Sequence, residues 1–273
     1  MIYEEKRVVK PEKDVELEAA RHYTDKDAPH LVFVKGLGGS AENREGLMDK
    51  LAEDYNVLSF SPRESGRSNG DYRIDSLLDD TLKIFETEAE ESGNLPYAIG
   101  HSMGGYSLAK ILTERKVASK AVLLSPVLDL REQLPEAILS YLRRCSEKGK
   151  NPLGFLKEDY QQIISPDFRL CDQKINVERS PEFLESLFSS ESCSGKLKVP
   201  TKTILTGSSC LYLPISQKEL DRLKSEWEKL GSEVEVYGDL DHNFRGKWYF
   251  PKGKVFGELE KEDRYKSIKD FLS

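Results

Sequence analysis

Ser102 lies in the run Ile99-Gly100-His101-Ser102-Met103-Gly104-Gly105, directly after a short apolar stretch and directly before a segment of helical character. Glycines two positions before and two after a serine suit a strained strand-to-helix turn. The missing side chains let neighbouring backbone pack closely, while the hydroxyl is thrust out at the sheet edge. The helix that follows points its N-terminus at the hydroxyl, and its N–H groups favour negative charge developing there. A serine so placed is a candidate nucleophile. The same spacing also serves a glycine-rich βα turn around an ordinary serine, so the rest of the chain must decide.

The elements that would hold such a turn are legible as alternating short apolar runs and helix-length amphipathic segments. That order predicts an α/β fold with a mostly parallel sheet covered by helices on both faces. Val15–Tyr23 alternates like an edge strand, with Lys6–Lys10 as its candidate partner. Further strands are expected at Leu31–Val34, Val57–Phe60, Tyr97–Gly100, Ala121–Leu124, Thr203–Leu205 and Val234–Tyr237. Helices are expected at Asn43–Glu53, Ile74–Glu90, Tyr106–Arg115 and Glu262–Leu272.

Between Asp129 and Pro200 this rhythm breaks. Leu134, Ile138, Tyr141, Leu142 and Cys145 fall at helical spacing, as do Phe155, Leu156, Tyr160 and Ile163, then Phe183, Leu184, Leu187 and Phe188. Residues 131–196 are therefore expected to form a helical cap, inserted into a core made of residues 1–130 and 197–273. An insertion after the strand that follows the serine's helix falls on the side where α/β sheets bind ligands. The other reading is that these helices thicken the core.

Composition narrows the partners. The 41 basic and 48 acidic residues give a net charge of −7, spread along the chain, which argues against nucleic acid or an anionic membrane surface. No run approaches the length of a membrane span, and Met1-Ile2-Tyr3-Glu4-Glu5-Lys6 lacks the pattern of a signal peptide. The four cysteines, Cys145, Cys171, Cys193 and Cys210, are scattered without a CxxC pair. Reduced thiols in a cytoplasmic protein without a zinc site are the expectation.

Four blocks in order now give the chain a resemblance to the α/β-hydrolase family. Val34-Lys35-Gly36-Leu37-Gly38-Gly39-Ser40 looks like the family's His-Gly-x-Gly-Gly loop after its third strand. Ser61-Pro62-Arg63-Glu64-Ser65-Gly66-Arg67-Ser68 is similar to its Asp-x-Arg-Gly-x-Gly-x-Ser stretch after the fourth. The serine turn is the third block, and Asp241-His242-Asn243-Phe244, after the last strand, is the fourth. The resemblance implies an α/β-hydrolase fold with a helical cap. It also implies oxyanion donors at the backbone N–H groups of Leu37 and Met103, each worth a few kcal/mol in the transition state. Lys35 stands where the family usually has His; it is either a solvated side chain at the loop base or a source of positive charge for the site.

The four histidines are His22, His30, His101 and His242. The first two precede the strand leading to the oxyanion loop, and His101 is committed to the serine turn. His242, in the polar turn after the final strand, occupies the slot of the general base. The acid is the departure. In Leu205-Thr206-Gly207-Ser208-Ser209-Cys210-Leu211-Tyr212-Leu213-Pro214, Gly207 and Pro214 are in register with the family pattern and Cys210 stands where Asp should be. A neutral thiol cannot stabilise imidazolium, and losing the carboxylate can cost about ten-thousand-fold in turnover. Asp129 follows the strand from whose end some family members take the acid, although Ser125 is nearer the equivalent position. Asp129 could equally cap the first insertion helix. Asp241 and Asp239 are poorly placed to bend onto the His242 ring. A Ser102–His242 dyad, with or without a Cys210 thiolate, is a second possibility, and a Cys210 introduced or drifted into an otherwise ordinary enzyme is a third.

The resemblance thus implies a serine hydrolase of carboxylic esters or thioesters of a small, largely apolar acyl compound, forming an acyl-enzyme on Ser102. His242 would be the base, Asp129 the tentative acid, and no cofactor or metal is implied. Tyr141, Phe155 and Tyr160 are equally candidates for pocket lining and for cap core. The competing class is a catalytically weak or inactive homologue that binds a small ligand in the same pocket.

Overall fold

A computed structural model of the protein describes residues 1–36, 41, 46–128, 186, 190–207, 215–240, 244, 259 and 261–273. Runs of Val, Leu, Ile and Phe too apolar to face water form the centre. β3 (His30–Val34), β4 (Asn56–Phe60), β5 (Tyr97–His101), β6 (Ala121–Leu124) and β7 (Thr201–Thr206) are buried almost throughout, as strands covered on both faces must be. With β1 (Tyr3–Glu12), β2 (Val15–Tyr23) and β8 (Glu233–Tyr237) they make one eight-stranded sheet among the described residues, in the order β1-β2-β4-β3-β5-β6-β7-β8. β1 pairs β2 antiparallel and β2 pairs β4 antiparallel; every other neighbouring pair is parallel.

Alternate side chains of the parallel strands feed two cores, one on each face. Val32, Val34, Leu58, Phe60, Ala98 and Leu123 pack with residues of α2 (Ile74–Ser92), α3 (Met103–Glu114) and α4 (Gln217–Lys229). Leu31, Phe33, Val57, Ile99, Val122 and Leu124 pack on the other face with α1 (Gly46–Leu51) and α5 (Glu262–Leu272).

Two expectations need correction, and one helix lies outside them. β2 is not an edge strand: Arg21 pairs Glu5 on one side and Leu58 on the other, and β1 is the edge. The apolar–polar alternation holds only over its first residues; from Leu17 to His22 both faces are buried. The serine helix starts at Met103, not at Tyr106, because Gly104 and Gly105 are helical here through close packing rather than propensity. The helix α4 was not anticipated. Its signals were the spacing of Leu220, Leu223 and Trp227, all buried, and Ser216, whose side chain accepts the Glu219 N–H.

Most of the segment expected to form the cap, 131–185 and 187–189, lies outside the described residues, as do Tyr141, Phe155 and Tyr160. Its described residues, 186 and 190–196, are tied to the core. The Cys193 N–H donates to the Leu128 carbonyl at 3.2 Å, and the Tyr106 hydroxyl donates to the Glu191 carbonyl at 2.7 Å. The Ser186 hydroxyl accepts the Ile74 N–H at 3.0 Å, at the N-terminus of α2. Cys193, the one cysteine among the described residues, is buried and outside any disulfide.

Candidate active site

The strand order reverses direction between β3 and β5: the chain proceeds from β3 to β4 on one side and from β5 to β6, β7 and β8 on the other. The connections leaving β3 and β5 therefore diverge to opposite faces and open a crevice at their carboxyl ends, where α/β sheets place ligands. Gly36, just past the end of β3, and Ser102, just past β5, stand on either side of that crevice. A Cβ added to Gly36 would lie 3.0 Å from the Ser102 Cβ.

Ser102 itself is bent into a conformation few L-residues adopt, with φ 54° and ψ −118°. Such a backbone costs of order 1–3 kcal/mol and persists only where its surroundings over-determine it. They do so here by contact. A Cβ on Gly104 would come within 2.2 Å of the Val34 carbonyl oxygen and 2.5 Å of that of Lys35; one on Gly100 would sit 2.8 Å from the Gly104 oxygen. The glycines let the start of α3 press against the ends of β3 and β5. The Ser102 N–H is bound by the Leu124 carbonyl at 3.0 Å, and the Ser102 carbonyl accepts from Tyr106 N–H at 3.0 Å as the first turn of α3 closes. The side chain is partly exposed. Met103 follows as the first helical residue, so its N–H has no acceptor within the helix and belongs to the positive end of α3.

His101 is buried beneath this turn, not reaching toward Ser102 from the solvent side. Its Nδ1 would be 3.3 Å from a Cβ on Gly36, and its ring centroid is 6.3 Å from that of Phe244 at an interplanar angle of 60°. Phe244 is fully buried with φ 57°, and Leu240, also fully buried, returns its carbonyl to the Gly207 N–H at 3.1 Å. Lys35 is buried as well, which overturns the solvated reading of that side chain. Its place between the end of β3 and Gly36, beneath the packed start of α3, explains the burial.

Of the residues singled out from the sequence, Ser102 and Met103 are adjacent in this turn. Leu37, Asp129, Cys210 and His242 lie outside the described residues. Ser125, the position directly after β6, has φ 42° and shares a 2.8 Å hydrogen bond with the Thr206 hydroxyl at the end of β7. Asp239 is 72% exposed and faces Arg264 at 3.5 Å, turned to solvent. His22 and His30 are removed from the site: His22 is buried within β2, and His30 opens β3 at the opposite end of the strand from Gly36.

The stretch after β4 forms a buried polar turn beside the crevice. Arg63 clamps Asp80 through Nε at 3.0 and 3.1 Å and through its terminal nitrogen at 2.8 Å. The hydrogen bonds to Asp80 hold the Arg63 guanidinium above its ordinary pKa, whereas burial pushes the Asp80 carboxyl upward against the opposing pull of Arg63. Ser61 meets Glu18 of β2 in the same turn. Sequence reasoning passed over Glu18, since alternation puts it on a polar strand face; only the folding of residues 61–68 over β2 buries it. Among the described residues, no three or more His, Cys, Asp or Glu side chains gather as a cation site, and no helix is long and apolar enough to cross a membrane.

The comparisons with known proteins agree with this architecture. Residues 25–201 match the family described as Hydrolase_4, serine aminopeptidase, S33. Over 107 residues, 37% of this chain, the sequence is 26% identical to RutD of Agrobacterium fabrum, a protein described as a carbamate hydrolase. That match spans 40% of the relative's length. Among solved structures, an esterase of Pyrococcus furiosus superposes with a TM-score of 0.65 at 18% identity, over 99% of this chain and 91% of its own. A proline iminopeptidase-related protein of Thermus thermophilus gives 0.62 at 18% identity, over 99% and 98%. The fold is the α/β-hydrolase fold.

Proposed function

Because the chain belongs to the serine aminopeptidase (S33) family of α/β-hydrolases, we propose that it is a serine hydrolase of carboxylic esters or thioesters, working through an acyl-enzyme on Ser102. The observation that carries this reading is the left-handed backbone of Ser102 at the N-terminus of α3, maintained by glycine contacts at a cost a passive turn would have no reason to bear.

In the proposed cycle the Ser102 oxygen attacks the carbonyl carbon and its proton passes to His242. The tetrahedral oxyanion is held by the N–H groups of Met103 and Leu37. Collapse expels the alcohol or thiol, which takes the proton from His242. Water, deprotonated by the same base, then releases the carboxylic acid and restores Ser102. Supporting the role of His242, the described residues on either side of positions 241–243 are anchored at the crevice, Leu240 against Gly207 and Phe244 against His101. The cap belongs to the same proposal. Ser186 sits at the N-terminus of α2, which enters from the carboxyl end of β4, the end of the sheet where Ser102 lies.

The third catalytic member is proposed to be Asp129, with a Ser102–His242 dyad as the competing arrangement. Cys210, at the family position of the acid, favours a second reading, a weakly active or inactive homologue that binds a small ligand. Two experiments separate these. Wild-type protein should be labelled by a fluorophosphonate and should hydrolyse a short-chain p-nitrophenyl ester. Ser102→Ala should abolish both, and His242→Ala should fall to within a small factor of it, since the two act as a unit. Wild type that neither labels nor turns over would leave the ligand-binding reading. Cys210→Asp should raise turnover by up to about a hundredfold where no other acid serves, out of the roughly ten-thousand-fold such a carboxylate can contribute. If Asp129 serves, Asp129→Asn should cost heavily and Cys210→Asp should add little.

A further inference from the structure

Between Gly36 and Gly46 one residue of the loop is described, Ala41, and its backbone N–H is not left to solvent. It donates to the Ser61 hydroxyl oxygen at 2.8 Å, and the Ser61 hydroxyl in turn lies 3.0 Å from Glu18 Oε2. The direction of the chain of bonds is fixed by chemistry. A hydroxyl has one proton, and an amide N–H can only give its own, so Ser61 accepts from Ala41 and must spend its proton on Glu18. Glu18 Oε2 also accepts the Arg67 N–H at 3.2 Å, so this oxygen is used as a double acceptor.

This arrangement is built, not incidental. Ser61 is fully buried, Ala41 is 1% exposed and Glu18 9% exposed. The backbones of the two partners are locked together as well: Ser61 N–H donates to the Glu18 carbonyl at 2.8 Å, Glu18 N–H to the Ser68 hydroxyl at 2.9 Å, and that hydroxyl to the Ser61 carbonyl at 2.8 Å. Gly66, with φ 58°, closes the turn over the pair so tightly that a Cβ there would lie 2.2 Å from Glu18 Oε2 and 2.8 Å from Ser61 Oγ. The Arg67 guanidinium is 3.7 Å from Glu18 Oε1 but 72% exposed, so it is a weak, screened partner. A buried carboxylate is costly unless its hydrogen bonds are made, and the groups that make them here lead to the loop beside Ser102.

We infer that Glu18 and Ser61 form a positioning pair, in which the carboxylate orients the hydroxyl that holds the Ala41 N–H, and thereby fix the loop after Gly36 for the reaction at Ser102. The inference rests on the proposed serine chemistry, because the loop matters through the oxyanion donor it would carry. Misplacing a preorganised group by about 1 Å can cost about a hundredfold in rate. The pair touches no substrate; it acts through the loop.

The test uses Ser61→Ala and Glu18→Gln in the full-length protein, with p-nitrophenyl ester kinetics referred to sites titrated by a fluorophosphonate and with amide hydrogen exchange at Ala41. Ser61→Ala should lower kcat by about ten- to a hundredfold with KM within about twofold, and should speed exchange at Ala41. Glu18→Gln should shift both readouts the same way. The double variant Glu18→Gln with Ser61→Asp puts the carboxylate directly within reach of Ala41 and should recover most of both. Unchanged kcat per titrated site, an effect on KM alone, or unaltered exchange at Ala41 would overturn the pair. Should Ser61→Ala not fold, Glu18→Gln and the double variant decide the matter by the same two readouts. A wild type that exchanges slowly at Ala41 but neither labels nor turns over defeats the serine chemistry and the positioning role with it; a working wild type with indifferent variants defeats the positioning role alone.

Discussion

At the carboxyl ends of β3 and β5 a serine bent into a positive-φ conformation stands among hydroxyls, backbone N–H groups and the buried Lys35 and His101, whereas at the amino ends of β3 and β4 the polar groups are charges closed on one another. There Arg21 of β2, 2% exposed, donates to Glu88 at 2.5 Å, to Glu91 at 3.0 Å and to the Asn56 side chain at 3.1 Å. His30 Nδ1 lies 2.9 Å from the second oxygen of Glu88. A histidine, an arginine and two glutamates gathered in one place resemble a catalytic cluster by residue type alone, yet every one of them is occupied by another. The Ser102 end inverts this. What distinguishes it is a strained backbone at the N-terminus of α3, whose N–H groups favour negative charge. On the proposed serine chemistry, stored strain marks the working end better than a gathering of titratable side chains does.

The largest effect should come from opening the charged end. Glu88→Ala leaves Arg21 buried without its main partner, a change worth about 3–5 kcal/mol, and the melting temperature should fall by roughly 10 °C. Turnover per folded molecule should stay as in wild type, because nothing at that end touches the crevice. A selective loss of kcat in folded Glu88→Ala protein would break the division between the two ends.

Gly104→Ala attacks the other end through packing. Its Cβ would meet the carbonyl oxygens of Val34 and Lys35, which are backbone and cannot swing away, so one strand end or the helix start must move. Overpacking of this kind costs about 1–3 kcal/mol, and the upper part of that range is expected. The accompanying loss of fluorophosphonate labelling should exceed what the fraction unfolded explains, since the serine turn is displaced directly. Folded protein that labels at the wild-type rate would mean that the contacts at Gly104 do not hold Ser102 in place.

The parts of the molecule that could be read from sequence are those whose cause is local. The glycines around Ser102 announce a close approach, and the structure supplies the atoms approached, Val34 and Lys35. The all-apolar runs Leu31–Val34 and Ala121–Leu124 are strands because two helical layers cover them. What escaped has a distant cause. Glu18 alternates with apolar neighbours and so looks like a surface residue, until residues 61–68 fold over it. Lys35 is hydrophilic by type and buried by the helix start that packs against it. At the candidate site the strand-to-helix turn at Ser102 and Met103 was legible, because a turn motif encodes its own geometry; the proposed partners His242 and Asp129 are distant in sequence, and no local pattern states their distance from Ser102.

The smallest effect is the most diagnostic for strain, and it requires two substitutions at one position. Ser102→Ala keeps a Cβ on a backbone with φ 54° and ψ −118°, so it removes the hydroxyl and retains the steric cost. Ser102→Gly removes both, since glycine reaches positive φ freely. Relief of about 1–3 kcal/mol is opposed by the extra freedom glycine has in the unfolded chain, about 0.5–1 kcal/mol. The net is a gain of about 1 kcal/mol, or roughly 2–4 °C in melting temperature for a chain of this size. Both variants should be dead toward the ester and the fluorophosphonate, and only the glycine variant should melt later than wild type. Equal melting temperatures for the two would show that the turn at Ser102 is conformationally relaxed, and that the contrast between the two ends of the sheet lies in their side chains alone.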